Sequence, residues 1–510
     1  MQFGSCYGDK MASIIVFTQN LKLESLEKYK TVIASNDKNV FLTTHFLFEN
    51  ERAYISGLFK NCIFVDFADF LTDAEMAKCD TDAYTPETKY EDYLHKMKEL
   101  KNEIVLHKVL KEFSPDRQYI LSEDLGIDGS VWARHGFKKL NGTYYYTDKT
   151  PLKVRVRNKL AQNATLKKIY RWLRGKKNQN GNFYRPEEVS VAYHEGRKYV
   201  FLGKMSRIGY RLDIPFESSE QECERLNAGQ YETKETCTYM TTWHEHGKCD
   251  VPDDDKYAIR WAQDGYLPPN YTHYDYSYVP KNVVYYCWDI LGTQLFRNRN
   301  LPYEMIPFRK KLYIPKPVFP KDVKNILVVA SGSGDWTALK NRSDDDIMVD
   351  AFVQMARRFP DIHFTYRCHP TWVHPLNVGV NAINRVHDYF EWLKLPNLTL
   401  SSNIPLANVN GGFQLSFSRS SLEEDLKKAD FVFGEHSISM IDAAFKQIPF
   451  CSINLTKRRN FFVGINDLGF PKCTSLDEIA KVIQSISGEE YQKNYLQAID
   501  NYNRMTDEEH

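Results

Sequence analysis

The sequence predicts an α/β protein of two domains, each built on a mostly parallel sheet. Three observations lead there. At 510 residues the chain is too long to enclose one compact core. From Asn325 onward, short apolar runs alternate with amphipathic helical patterns, the order expected of parallel strands joined by crossover helices. Between the halves, Phe308–Lys321 (FRKKLYIPKPVFPK) sets three prolines among basic residues, which makes a stiff, extended linker.

Near the N-terminus, Ser13–Gln19, Val40–His45 and Cys62–Phe67 read as strands separated by helix-like stretches. A long charged helix is predicted over Lys89–Phe113, followed by a buried strand at Arg117–Leu121. The stretch from about 136 to 307 is rich in Tyr, Asn, Gly and charge and shows few clean periods. It is read as an elaborated insertion, with strands near Lys198–Leu202 and Asn282–Tyr286. The first domain then spans 1–319 and the second 320–485, with a C-terminal helix over 486–510 folding back towards the first.

In the second domain Asn325–Ala330 is a buried strand, and Ser343 caps a helix with Asp344, Asp345 and Asp346 in its first turn and Arg357–Arg358 at its end. Those charges oppose the helix dipole at both ends. Strand Ile362–Arg367, a helix near Arg385–Leu395 and a short strand at Leu398–Leu400 follow. Ser420 with Glu423 forms a capping box for the helix ending at Lys428. Strands Asp430–Gly434 and Ile448–Ile453 flank a helix over Ser437–Gln447. Sheets of this kind bind ligands at the carboxyl ends of their strands.

Composition excludes several classes. Lys+Arg 67 against Asp+Glu 66 leaves a net charge of +1, so nucleic acid is not an expected partner. No apolar stretch approaches a membrane span, and the N-terminus lacks a basic region followed by an apolar core. A cytoplasmic location is expected, with the ten scattered cysteines reduced. Cys237, His244, His246 and Cys249 lie close in sequence, but their spacing matches no familiar zinc site, and no metal is predicted. Lys153–Lys177 holds ten Lys or Arg and no acid, with Leu166, Ile169, Tyr170 and Leu173 at helical spacing. That is a basic amphipathic helix, suited either to an anionic membrane surface or to a solvated face on the protein.

Three loops at strand ends carry the chemistry. In the first, Ser331, Gly332, Ser333 and Gly334 let backbone amides approach a ligand, Asp335 stands at the tip, and Lys340 and Arg342 follow. The second is Arg367–Cys368–His369–Pro370, where an imidazole at the start of a helical segment donates to a phosphate without a metal. The third holds Glu435, His436, Ser437 and Ser439, whose hydroxyls and free amides suit a phosphate or ribose.

Together these loops resemble the nucleotide-binding half of GT-B glycosyltransferases that use CMP-activated sugars. His369–Pro370 and Ser437–Ser439 match the His-Pro and serine motifs of bacterial sialyltransferases. The run GSGDW with the nearby KNRSDDD looks most like the retaining β-Kdo transferases of capsule and lipopolysaccharide assembly. Two departures stand out: Asp442–Ala443 replaces the common Glu-Ala, and Gln447 occupies a usual Gly position. The resemblance covers about the last third of the chain. It implies a GT-B fold, two Rossmann-like domains facing a cleft. It implies transfer of a Kdo-like acid sugar from a CMP donor to a saccharide acceptor, lipid-linked if the basic helix docks on the inner membrane face. No cofactor or metal is then needed. It also implies Asp335 as nucleophile and, by likeness to an acidic-Gly motif, Asp264 (before Gly265) as base, although those two residues equally suit an ordinary turn. Other readings are an inverting sialyltransferase-like enzyme, a UDP-, GDP-sugar or CDP-glycerol donor, and a non-catalytic CMP- or saccharide-binding subunit.

Overall fold

The computed structural model describes residues 12–17, 21, 23–33, 38–83, 90–121, 128–140, 184–203, 209–242, 251–252, 254–262, 283–298, 300–330, 344–369, 380–402, 417–435, 437–455 and 463–507. They form three sheets. The first is β1 (Ala12–Phe17), β2 (Lys38–Thr43), β3 (Cys62–Asp66), β4 (Arg117–Ile120) and β5 (Lys138–Lys139), parallel throughout, in the order β3-β2-β1-β4-β5. β1 is buried at all six positions, as an apolar run such as ASIIVF must be when helices cover both faces.

The range read as an insertion holds a sheet of its own. It comprises β6 (Val189–His194), β7 (Arg197–Leu202), β8 (Glu217–Ser218), β9 (Cys237–Thr242), β10 (Ile259–Ala262), β11 (Val283–Cys287) and β12 (Tyr303–Met305). Strands β7, β9, β10, β11 and β12 run parallel, and the β6–β7 hairpin with β8 adds an antiparallel edge.

The third sheet is β13 (Asn325–Val329), β14 (His363–Arg367), β15 (Leu398–Ser402), β16 (Phe417–Arg419), β17 (Phe431–Gly434), β18 (Phe450–Ile453) and β19 (Lys472–Cys473). All seven are parallel, in the order β16-β15-β14-β13-β17-β18-β19. Strand order reverses between β13 and β17, the switch point at which such sheets open a crevice. β13, β14, β15, β17 and β18 fall where the sequence places them, β16 and β19 were not foreseen, and the helix expected near Arg385–Leu395 runs over Val380–Leu393. The capping box is one residue later than expected: Ser421 caps helix Leu422–Lys428 with Glu424. Ser420 instead turns inward and donates to Asp425.

The carboxyl edges of the second and third sheets meet. Met240, Ala262, Tyr286, Trp288, Ile306 and Phe308 form a cluster at the edge of the second, and Ile438, at the start of the helix after β17, packs on it. Two Rossmann-like sheets facing across a cleft make the GT-B arrangement, and here the sheet opposite the third is the second one rather than the N-terminal one. The linker between them is extended and pinned at both ends. Ile314 exchanges two hydrogen bonds with Asn503 of helix Glu489–Asp507, at 2.8 and 2.9 Å. Gln447 has a left-handed φ of 65°, its side chain donates to the Lys316 carbonyl, and its own carbonyl accepts from Val318 N–H at 2.8 Å. A glycine at 447 would keep the turn and lose the side-chain tie.

The N-terminal sheet docks on the flank of the third. Phe48 joins the third sheet's core and stacks on Tyr389 at 4.6 Å. Arg385, on helix Val380–Leu393, is buried and binds Glu51 from one side and Asp346 from the other. No described helix is long and apolar enough to cross a membrane.

Candidate functional site at the carboxyl edge of the third sheet

Register brings the ends of the three strands that precede the motif runs side by side. Val329 pairs with Arg367 on one flank and with Gly434 on the other, so β13, β14 and β17 end at the same level. The chain leaving them is Ala330, Cys368–His369 and Glu435 respectively. Gly434 is required there. A Cβ at this residue would lie 2.7 Å from Val329 Cγ2 and 3.1 Å from the Val329 carbonyl oxygen, because β13 and β17 approach closely at the switch point.

His369 stands half-buried just past the end of β14, and Cys368 N–H holds this segment against β15 by donating to the Ser401 carbonyl at 2.9 Å. Ser437 caps helix Ile438–Phe445, accepting from Ser439 N–H at 3.3 Å. Its hydroxyl therefore has a structural task. Glu435 lies half-buried just past the end of β17.

Arg367 has a different role from the one its motif suggests. Phe364 and Tyr366 point into the core under helix Asp344–Arg358, which leaves Arg367 on the opposite face. There its guanidinium is buried, 2.6 Å from Asp425, and also donates to Ser401 Oγ and the Ser420 carbonyl. Both serine hydroxyls donate to the same carboxylate. The charge is neutralised inside the fold, and this network fixes the strand end that presents His369.

Asp442 faces the second sheet. Burial raises its carboxyl, and the Arg211 and Lys446 charges pull against that rise. Arg211 itself is buried and lies 3.4 Å above the Trp288 ring. It also borders a cavity of about 20 Å³, room for a single water, shared with Asp289, Arg309, Lys310 and helix Glu489–Asp507. Sequence reading passed over Arg211 and Trp288 because neither sits in a motif; the only signal is their place beside strand ends.

Several predicted residues lie outside the described ones: Ser331, Gly332, Ser333, Gly334, Asp335, Lys340, Arg342, Pro370, His436 and Asp264, with His244, His246, Cys249 and the whole of Lys153–Lys177. Cys237 is described. It is buried in β9, and burial pushes its thiol up to about 12.

No family model and no curated protein matches the chain. Solved structures align over nearly the full length at low similarity. The GtfA/B complex aligns with 10% identity over 98% of this chain and 97% of that one, with a TM-score of 0.34. TarM of S. aureus (the G117R mutant with fondaparinux, alpha-GlcNAc-glycerol and UDP) aligns with 9% identity over 98% of both chains, with a TM-score of 0.34. UDP-GlcNAc 2-epimerase from Neisseria meningitidis, bound to UDP-GlcNAc, aligns with 10% identity over 98% and 99%, with a TM-score of 0.23. At such TM-scores the functional reading rests on the strand ends themselves.

Proposed function

We propose that this chain is a glycosyltransferase that moves a Kdo-like acid sugar from a CMP-activated donor to a saccharide acceptor. The observation that supports the reading is that β13, β14 and β17, the strands that the three motif runs follow in sequence, end in register at the switch point. A nucleoside monophosphate leaving group carries little charge. His369 and the N-terminus of helix Ile438–Phe445 suffice to balance it, with no metal called for. A diphosphate donor demands more positive charge, and here the loop carries Glu435 while Arg367 is neutralised by Asp425. That favours CMP over UDP or GDP.

In the retaining route Asp335 attacks the anomeric carbon and CMP departs with the bonding electrons, leaving the sugar esterified to the carboxylate. The acceptor hydroxyl then attacks the same carbon and passes its proton to Asp264, which releases Asp335. Lys153–Lys177 would hold the enzyme near an anionic membrane carrying a lipid-linked acceptor.

Incubation with CMP-, UDP- and GDP-sugars, read as nucleotide release, tests the proposal. Release from CMP-Kdo alone supports it, and release from a UDP- or GDP-sugar alone removes the donor assignment. CMP binding without turnover would leave a non-catalytic binding subunit. Within this reading His369→Ala is expected to weaken CMP binding by about 1.5–3 kcal/mol, roughly ten- to a hundredfold, the size of one charge-assisted phosphate contact. Calorimetric titration measures it, and unchanged affinity takes His369 out of the phosphate site.

A further inference from the structure

The cleft lies between the second and third sheets, while the N-terminal sheet docks on the third sheet's flank. What it grips there is specific. Residues 46–51, at the start of helix Glu49–Leu58, reach both helix Asp344–Arg358 and helix Val380–Leu393. Those helices follow β13 and β14, so they are the ones that the first and second motif runs lead into.

The buried contacts gather near the two helix starts. Arg385, in the second turn of its helix, is held by both carboxylate oxygens of Glu51: Nε donates to Oε1 at 2.7 Å and Nη2 to Oε2 at 2.8 Å. Nη2 also donates to the Phe46 carbonyl at 2.8 Å. The third nitrogen, Nη1, donates at 3.0 Å to Asp346, in the first turn of the other helix. A planar guanidinium with every nitrogen committed has one orientation. Glu51 is fixed in turn, since its Oε2 accepts from Phe48 N–H at 2.9 Å. At the far end of helix Asp344–Arg358, by contrast, Arg357 pairs with Glu49 at the surface.

A buried ionic set of this kind adds little stability that apolar packing could not supply, but it is directional. Here the direction runs between two helices: with Glu51 in place, Arg385 and Asp346 hold the start of one at a set distance from the start of the other. We propose that the N-terminal sheet is a positioning domain, in which Glu51, acting through Arg385 and Asp346, fixes the spacing of the two helix starts and with it the affinity for nucleotide. The inference rests on the nucleotide-binding reading of the motif runs, but not on which nucleotide they take. Coupling of this kind is reciprocal, so bound nucleotide tightens the docking of helix Glu49–Leu58.

Titration of the parent, Glu51→Gln and Arg357→Ala with CMP, UDP and GDP tests it, together with amide hydrogen exchange of the parent with and without the nucleotide that binds. Glu51→Gln keeps the size of the side chain and gives up one of the two acceptors for Arg385. It is expected to bind nucleotide roughly tenfold more weakly, while Arg357→Ala binds as the parent does. Nucleotide is expected to slow exchange about threefold in helix Glu49–Leu58 and to leave helix Tyr90–Phe113, on the same sheet, unchanged; a general gain in stability would slow both. The exchange measurement needs no variant, so it decides the matter if Glu51→Gln fails to fold. Coupled binding of UDP or GDP in place of CMP would support the positioning role and overturn the donor assignment. Equal affinity in the parent and Glu51→Gln, or exchange that slows equally or not at all in the two helices, would overturn the positioning role and leave the donor assignment standing. Failure of all three nucleotides to bind would overturn both.

Discussion

Asp335→Ala is expected to abolish sugar transfer while leaving CMP affinity within about twofold of the parent. The residue follows β13 in a glycine-rich run, and in the proposed mechanism its carboxylate acts on the donor sugar and not on the nucleotide. Loss of a covalent nucleophile removes orders of magnitude in rate, roughly 10⁴-fold or more where such residues have been deleted. A retaining mechanism makes a sharper demand. Donor alone should add one sugar mass to the protein, and peptide mapping should place it within Ser331–Trp336. A mutant with full activity, or product of inverted configuration, would take Asp335 out of this role. Inversion would leave a single displacement, with Asp264 as base, as the better account.

The domain built on the third sheet was legible because its elements are local. Each strand is a short apolar run ended by a turn, and each helix carries caps and charges on its own termini. The misplaced capping box has a local cause. The run Ser420–Ser421–Leu422–Glu423–Glu424 offers two capping boxes at the same spacing, and the choice falls to Ser421 because Ser420 is drawn inward by Asp425 and Arg367. The same network explains Arg367. Its position beside His369 advertises a ligand contact, but its partner Asp425 lies 58 residues away, and nothing local announces the pair.

Of the second sheet only two strands were legible, those near Lys198–Leu202 and Asn282–Tyr286, and the rest was hidden for another reason. The others carry Tyr, Thr and Arg at many positions, as in CTYMTT and IRWA, so neither a clean alternation nor a solid apolar run stands out. The tie between the N-terminal and third sheets leaves no signature at all, because Glu51 and Arg385 are 334 residues apart.

That tie carries the second large expected effect. Arg385→Met should destabilise the protein by about 3–5 kcal/mol, since it leaves Glu51 and Asp346 buried without their cation. By contrast Arg357→Ala, which breaks the neighbouring pair with Glu49, should lose no more than about 1 kcal/mol, because both side chains are about two-fifths exposed and water screens them. The Arg385 loss should also depend on pH. Burial raises the Asp346 carboxyl from 3.8 to about 6 even against the pull of Arg385. Between those values the folded chain binds more protons at this site than the unfolded chain. Its contribution to stability is therefore full below about pH 4 and is lost as pH rises through 6. Removing Arg385 lifts the folded value further and widens the window upward. The variant's deficit should thus be smaller at pH 5, where Asp346 can take a proton, than at pH 8, where it must either ionise unpaired or hold its proton against the solvent. Urea unfolding of parent and variant at both pH values reads this directly. A deficit below 1 kcal/mol, or one that is equal at the two pH values, would show that the N-terminal sheet is held by Phe48 and its apolar neighbours rather than by the buried charges.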